Sequence, residues 1–318
     1  MKTKTIAKII TKKMNEWLET IADKTLRGDV KKNILISGGS IASMLLKEQV
    51  NDYDVYIQNM DVLKRLAEYY KPGDVLDGRL RGEYLEKRFP KIPESGFWDN
   101  PESGKNERYS SEAYVRISNL KPNQIKIDVS GAGVRIERKE DEKYLPVFIS
   151  QNAISLTEDV QIVLRFNGNV EQIHKTFDYI HATNYFTFQD GLILNQAALE
   201  SLITKNLVYQ GSLYPLTSVI RMKKFIRRGW TMSAGEILKI LFQVSELDLT
   251  DIEVLEDQLI GVDVAYFSML IDALRNVDKK KITSRYINSL IDKVFSQYDG
   301  DSDNIKSESS TQLKDLFA

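Results

Sequence analysis

Cysteine is absent from all 318 residues, which excludes disulfides, thiolate zinc sites and cysteine nucleophiles. Only two histidines are present, so little is available for a softer metal. No run approaches the roughly 18 to 20 apolar residues that span a bilayer. The stretch from Met1 to Lys13 alternates lysine with apolar side chains but has no continuous apolar core or small-residue cleavage site, so it reads as the start of a surface helix. Together these absences lead us to expect a soluble protein, not bound to a membrane, in a reducing compartment, with the cytoplasm as the default location. Charge is balanced as well: 44 Lys and Arg against 45 Asp and Glu leave a net charge of −1. Nucleic-acid binding would therefore have to come from a local basic patch.

The sequence is long enough for two packed domains, and its 42% apolar and 28% charged residues are those of a globular protein. Asn33 to Ile36 is a short apolar run ending in Ser37-Gly38-Gly39, and Ile41 to Leu46 then carries apolar residues at helical spacing. Asp52 to Ile57 alternates in a β-like pattern, and Met60 to Tyr70 returns to a helical period. Lys71 to Ser111 is dense in Gly, Pro and charge and reads as a long loop. Strands are expected at Ala113 to Ser118, Gln124 to Val129, Pro146 to Ile149 and Val160 to Phe166. Beyond Asn169 helical periods are expected at Val170 to Ile180, Asn195 to Leu202, Leu216 to Arg227 and Ser233 to Ser245, then on to Tyr298, before a polar, serine-rich tail. The expected domains are 1–168, 169–298 and a flexible 299–318.

Asp52 and Asp54, two apart on one strand, project from the same face and can share a cation. Gln124 to Val129 sets Ile125, Ile127 and Val129 on one face and Asp128 on the other, so Asp128 on a neighbouring strand can complete an acidic cage. Hard oxygen ligands favour magnesium, and two ions held this way can activate a hydroxyl and neutralise a leaving pyrophosphate. Gly38-Gly39-Ser40, between a strand and a helix, lets the backbone approach a phosphate while N–H groups supply partial positive charge.

This arrangement resembles the DNA polymerase β-like nucleotidyltransferase superfamily, and more closely its tRNA nucleotidyltransferase and bacterial poly(A) polymerase branch. The resemblance is carried by Gly38, Gly39, Ser40, then Asp52, Asp54, then Asp128. Further on it is carried by Lys175-Thr176-Phe177-Asp178-Tyr179-Ile180, Tyr214-Pro215-Leu216 and the stretch Arg221 to Trp230. It implies an α+β head of mixed sheet and helices followed by a mostly helical neck and body. It also implies transfer of a nucleoside monophosphate from a triphosphate, ATP or CTP, to a hydroxyl such as a tRNA-like RNA 3′ end. Asp52, Asp54 and Asp128 would be catalytic and would hold two magnesium ions, and Gly38, Gly39, Ser40, Arg221 and Lys224 would contact the nucleotide. The sequence departs from the branch at Ala42-Ser43, where an Arg-Asp pair is usual, and in the register of Phe225.

Plainer readings compete. Arg221, Lys223, Lys224, Arg227 and Arg228 also describe a helix with one solvated basic face. His174 and His181 fit packing or capping roles, and Tyr179, Tyr185, Phe186 and Phe188 fit a core. Ser40 has no base near it in sequence that would make it a nucleophile. Two other functions fit the same head: a toxin-like enzyme modifying a protein or small molecule, and a non-catalytic scaffold such as a phage assembly protein. The abundance of Lys, Asn and Ile fits an AT-rich genome such as a phage's.

Overall fold

A computed structural model describes residues 2–70, 97–99, 106–108, 116–121, 124–128, 134–135, 143–150, 152–249 and 251–258, with 283, 285, 286 and 289. The chain is α+β. Helix α1 (Thr3–Thr20) turns Ile6, Ile10, Met14 and Trp17 inward at three- and four-residue spacing, and each is fully buried. The Trp17 Nε1–H donates to Tyr70 Oη at 2.8 Å, so the buried indole keeps a partner. Helix α2 (Lys24–Asn33) starts at Asp23, whose carboxylate accepts from the Thr25 and Leu26 N–H groups. Strand β1 (Ile34–Ser37) is buried throughout and leads into α3 (Gly39–Leu46). After β2 (Tyr53–Ile57), Asn59 caps α4 (Met60–Tyr70) by accepting from Asp61 and Val62.

Two antiparallel ribbons follow, β3 (Phe97–Asp99) with β4 (Asn106–Arg108) and β5 (Arg116–Lys121) with β6 (Gln124–Asp128). The rest of the stretch expected as a loop from 71 to 111 lies outside the described residues. Then come β7 (Val134–Arg135), β8 (Pro146–Ile149), β9 (Ala153–Leu156), β10 (Val160–Val163), α5 (Val170–His174), a 3₁₀ turn (Ile180–Ala182), β11 (Tyr185–Thr187) and β12 (Gly191–Ile193). The order is completed by α6 (Gln196–Thr204), β13 (Asn206–Leu207), α7 (Pro215–Arg227), β14 (Thr231–Met232), α8 (Ala234–Ser245) and α9 (Ile252–Gln258).

The main sheet has the order β12-β11-β1-β2-β10-β9-β8-β7. Within it β2 pairs antiparallel with β1 and parallel with β10. One face carries the large core, in which Ile34, Ile36, Val55, Ile57 and Ile162 meet Ile6, Ile10, Met14, Trp17, Leu63 and Leu66. The other face carries a smaller cluster of Leu35, Tyr56 and Ile173, with Phe177 and Tyr185 against it. Strand alternation divides β1 and β2 between these two clusters.

The chain divides into two compact units, 1–213 with 218–240, and 214–217 with 241–318. The expected domain boundary at 168 thus falls inside the larger unit. The mostly helical stretch expected after Asn169 also contains strands, because β11 and β12 belong to the main sheet. Tyr185-Phe186-Thr187 has the aromatic and β-branched character of a strand, and β1 offers it an open edge. The expected helix over 170–180 stops at His174, where Thr176 bonds back to the Ile173 carbonyl through both its N–H and its hydroxyl. In the smaller unit, Thr217 Oγ1 donates to the Gln258 carbonyl at 2.6 Å, joining its short segment to α9. The helices expected from 259 to 298 and the expected tail lie outside the described residues, apart from four isolated positions.

Candidate functional site

Leu35 and Ser37 on β1, and Asp54 and Tyr56 on β2, alternate with core residues and so belong to the face opposite the large core. Asp52 lies one residue before β2 and is exposed; Asp54 is partly buried. Desolvation, with the Asp52 charge adding to it and Arg221 opposing it, raises the Asp54 carboxyl from the usual carboxylate range to about 7. The Asp54 carboxylate is therefore partly desolvated and feels the charge of the exposed Asp52, so a bound cation would favour its ionised form.

The glycine turn stands against this pair. Gly38 has φ 91° and ψ −149°, a conformation open to glycine alone, and a Cβ there would lie 3.2 Å from Asp54 Oδ2. Its N–H donates to the Ala182 carbonyl at 3.0 Å, which fixes the turn to the 3₁₀ segment. At Gly39 a Cβ would meet nothing within 4 Å, so the space beside the first turn of α3 is open. The first N–H groups of a helix have no intrahelical partner, so the start of α3 can donate to an anion.

Arg221 on α7 reaches the same face. Its Nη1 donates to Asp178 Oδ2 at 2.8 Å, with the Arg221 side chain 44% exposed and that of Asp178 only 11%. The guanidinium thus pairs with Asp178 and its charge also favours the ionised form of Asp54. Asp178→Asn is expected to cost about 1 kcal/mol, toward the low end for a charged hydrogen bond because Arg221 is half open to solvent. Urea unfolding in a double-mutant cycle with Arg221→Ala checks this, and additive losses would show that the two side chains do not couple.

Of the residues expected in the site, Gly38 and Asp54 approach each other, and Asp52 and Arg221 act on Asp54 through their charges. Ser40 is 2% exposed and its hydroxyl has no hydrogen-bond partner among the described residues, so the turn offers its backbone rather than this side chain. Lys224 is exposed on α7. Asp128 ends β6, which among the described residues pairs with β5; its side chain lies outside those described. The residue registered against Asp54 on the adjoining strand β10 is Gln161.

Among the described residues no three acidic or histidine side chains form a metal cage. Magnesium, however, is commonly held by one or two carboxylates, with phosphate oxygens and water completing its shell. The Asp52–Asp54 pair beside an open glycine turn fits that donor set.

Sequence reasoning did not single out Asp178, Tyr56 or Ser37. Asp178 was visible only within the stretch resembling the neck entry, and its partner lies 43 residues away. Tyr56 showed as the next residue on the Asp54 face, and Asp54 in turn raises its hydroxyl pKa, though less than burial does. His174 Nε2 lies 2.9 Å from Ser37 Oγ, and burial lowers its pKa to about 4, so the ring stays neutral. His181, 4% exposed, packs against Phe225 and Trp230, and burial likewise lowers it to about 4. Both histidines are packed.

The fold and site define an α+β protein with a glycine turn set against an Asp-x-Asp strand. Residues 8–205, more than half of the chain, match the Gabija anti-defense 2 family, and the chain belongs to that family. No curated protein matches it. Similar solved structures include a Thermotoga maritima CCA-adding enzyme complexed with tRNA, at TM-score 0.33 and 13% identity over 82% of this chain and 53% of that one. Another is the Bacillus stearothermophilus CCA-adding enzyme in complex with CTP, at TM-score 0.32 and 10% identity over 78% of this chain and 51% of that one. A third is a tRNA nucleotidyltransferase complexed with a primer tRNA and an incoming ATP analog, at TM-score 0.34 and 13% identity over 90% of this chain and 63% of that one. The chain spans only 51 to 63% of the length of these three proteins.

Proposed function

We propose that this protein is a metal-dependent nucleotidyltransferase that moves a nucleoside monophosphate from a triphosphate to an acceptor hydroxyl. The observation that carries the reading is the Asp54 carboxyl, pushed up to about 7 by burial and by Asp52 and set so close to Gly38 that a Cβ there would lie 3.2 Å from its Oδ2. Bound magnesium would lower the pKa of the attacking hydroxyl and neutralise the leaving pyrophosphate. Asp52 and Asp54 would hold it, with Asp128 as the third carboxylate, which also assists deprotonation of the acceptor. The backbone of Gly38, Gly39 and Ser40 binds the β and γ phosphates, and Arg221 supplies positive charge on that face, where Ala42-Ser43 supplies none.

For the acceptor, a hydroxyl on a protein or small molecule of the defence machinery is the better reading. The family's description names an anti-defence role. Arg221 and Arg228 of the α7 stretch are also committed within the protein, to Asp178 and Glu48 at 2.8 Å each, which shortens any basic groove for RNA. An RNA 3′ end is the second reading, supported by the spacing of the motifs.

The test incubates purified protein with magnesium and each α-labelled triphosphate, adding total RNA in one series and host cell protein in another. Label on a protein or small molecule supports the first reading and label on RNA the second. Absence of transfer from all four triphosphates, by a protein whose folding has been verified, removes the enzyme reading.

A further inference from the structure

Helix α1 carries a feature that the nucleotidyl site does not use. Lys2, Lys4, Lys8 and Lys12 are all exposed, and the last three recur every four residues, so they form one stripe. At 1.5 Å per residue the stripe from Lys4 to Lys12 runs for about 12 Å. Its acidic counterparts are at the other end: Glu16 and Glu19 are exposed there, and Glu16 Oε1 lies 3.8 Å from Lys12 Nζ. The first turn has no acidic residue, the last turn has no basic one, and Lys2 at the N-cap makes no side-chain cap. This is the reverse of what the helix dipole favours, at about 0.3–1 kcal/mol per charge. Helix stability therefore does not account for these lysines.

We propose that the exposed face of α1 is a docking surface for the phosphate backbone of a nucleic acid, engaged without reading sequence. The exposed positions of the first three turns are lysines and threonines. No apolar anchor of the kind that dominates protein interfaces lies among them. Nor can the helix bury an apolar face in a lipid surface, because Ile6, Ile10, Met14 and Trp17 are already fully buried in the protein core. A row of flexible point charges facing solvent suits a polymer of evenly spaced anions. The overall charge of −1 makes such binding a property of this face and not of the whole molecule.

The experiment compares the full chain with the triple variant Lys4→Gln, Lys8→Gln, Lys12→Gln. Fluorescence anisotropy is read with labelled single-stranded RNA, single-stranded DNA and duplex DNA of mixed sequence, over a range of salt. Parent binding is expected at about 10⁻⁴ to 10⁻⁶ M, with the three probes showing which backbone is preferred. In the variant, binding weakens about tenfold or more, and the slope of log affinity against log salt falls by roughly two to three, at about 0.7–0.9 for each phosphate no longer neutralised. Thermal unfolding separates this from a structural role: the variant should melt at the same temperature or higher, since the conflict with the dipole is relieved. Absence of parent binding to all three probes overturns the proposal, as does an unchanged salt slope. Binding to phosphatidylglycerol vesicles but not to nucleic acid would assign the face to a lipid surface, and also overturns it.

Discussion

Asp54→Asn is expected to abolish nucleotidyl transfer while making the protein more stable at alkaline pH. On the proposed mechanism, loss of a carboxylate that would hold the metal removes several kcal/mol of transition-state stabilisation, on the order of a thousandfold in rate. The stability effect has the opposite sign. Asp54 titrates near 7 in the folded protein, against 3.8 for an exposed aspartate. Below about pH 4 both states are protonated and the group costs nothing. Between 4 and 7 the unfolded chain releases its proton and the folded one does not, so stability falls as pH rises through 7. Above 7 the full penalty is present, a few kcal/mol at about 1.4 kcal/mol per unit. Asparagine has no charge to desolvate, so parent and variant should unfold alike near pH 4, and the variant should outlast the parent at pH 8. Chemical denaturation at the two pH values reads this, and an equal or lower stability of the variant at pH 8 would show that the carboxylates are not forced together.

Gly38→Ala is expected to cost both stability and nucleotide binding, whereas Gly39→Ala should cost binding alone. At Gly38 the backbone is in a region essentially reserved for glycine, with a penalty of about 1–3 kcal/mol for a side chain. The added Cβ would also stand 3.2 Å from Asp54 Oδ2 and push aside the carboxylate proposed to hold the metal. At Gly39 the backbone is helical and the space is open, so alanine should leave the fold unchanged or stabilise it by up to about 1 kcal/mol. That same methyl occupies the approach to the first N–H groups of α3, where a phosphate would rest. Melting curves and calorimetric titration with magnesium and a non-hydrolysable triphosphate separate the two effects. If Gly39→Ala binds nucleotide as the parent does, the polyphosphate does not lie on this turn.

Much of this arrangement was legible in the residues themselves. Ile34 to Ser37 as a strand, Gly39 to Leu46 as a helix and Met60 to Tyr70 as a helix follow from apolar spacing, and their bounds agree closely with expectation. The placement of Asp54 on the face opposite the large core follows from the two-residue period of a strand, whereas Asp52 lies one residue before β2. The sheet's far edge was not legible, because Tyr185 to Thr187 and Gly191 to Ile193 are three-residue strands, too short for any period to register. The Asp178–Arg221 pair was hidden for another reason: a salt bridge between residues 43 apart leaves no mark on local spacing.

The amino-acid sequence by itself determined which residues could meet a phosphate and a hard cation: a glycine turn between a strand and a helix, and two aspartates two residues apart at the start of the next strand. Local periodicity and backbone freedom are enough for that. Only the tertiary structure decided that Asp54 lies close to Gly38, that the charge of Arg221 on α7 offsets its burial, that Gln161 is its neighbour across the sheet, and that Ser40 is buried. Those outcomes depend on which strands pair and which helix covers the face, and pairing across long stretches of chain is set by the burial of the whole core, not by any segment within it.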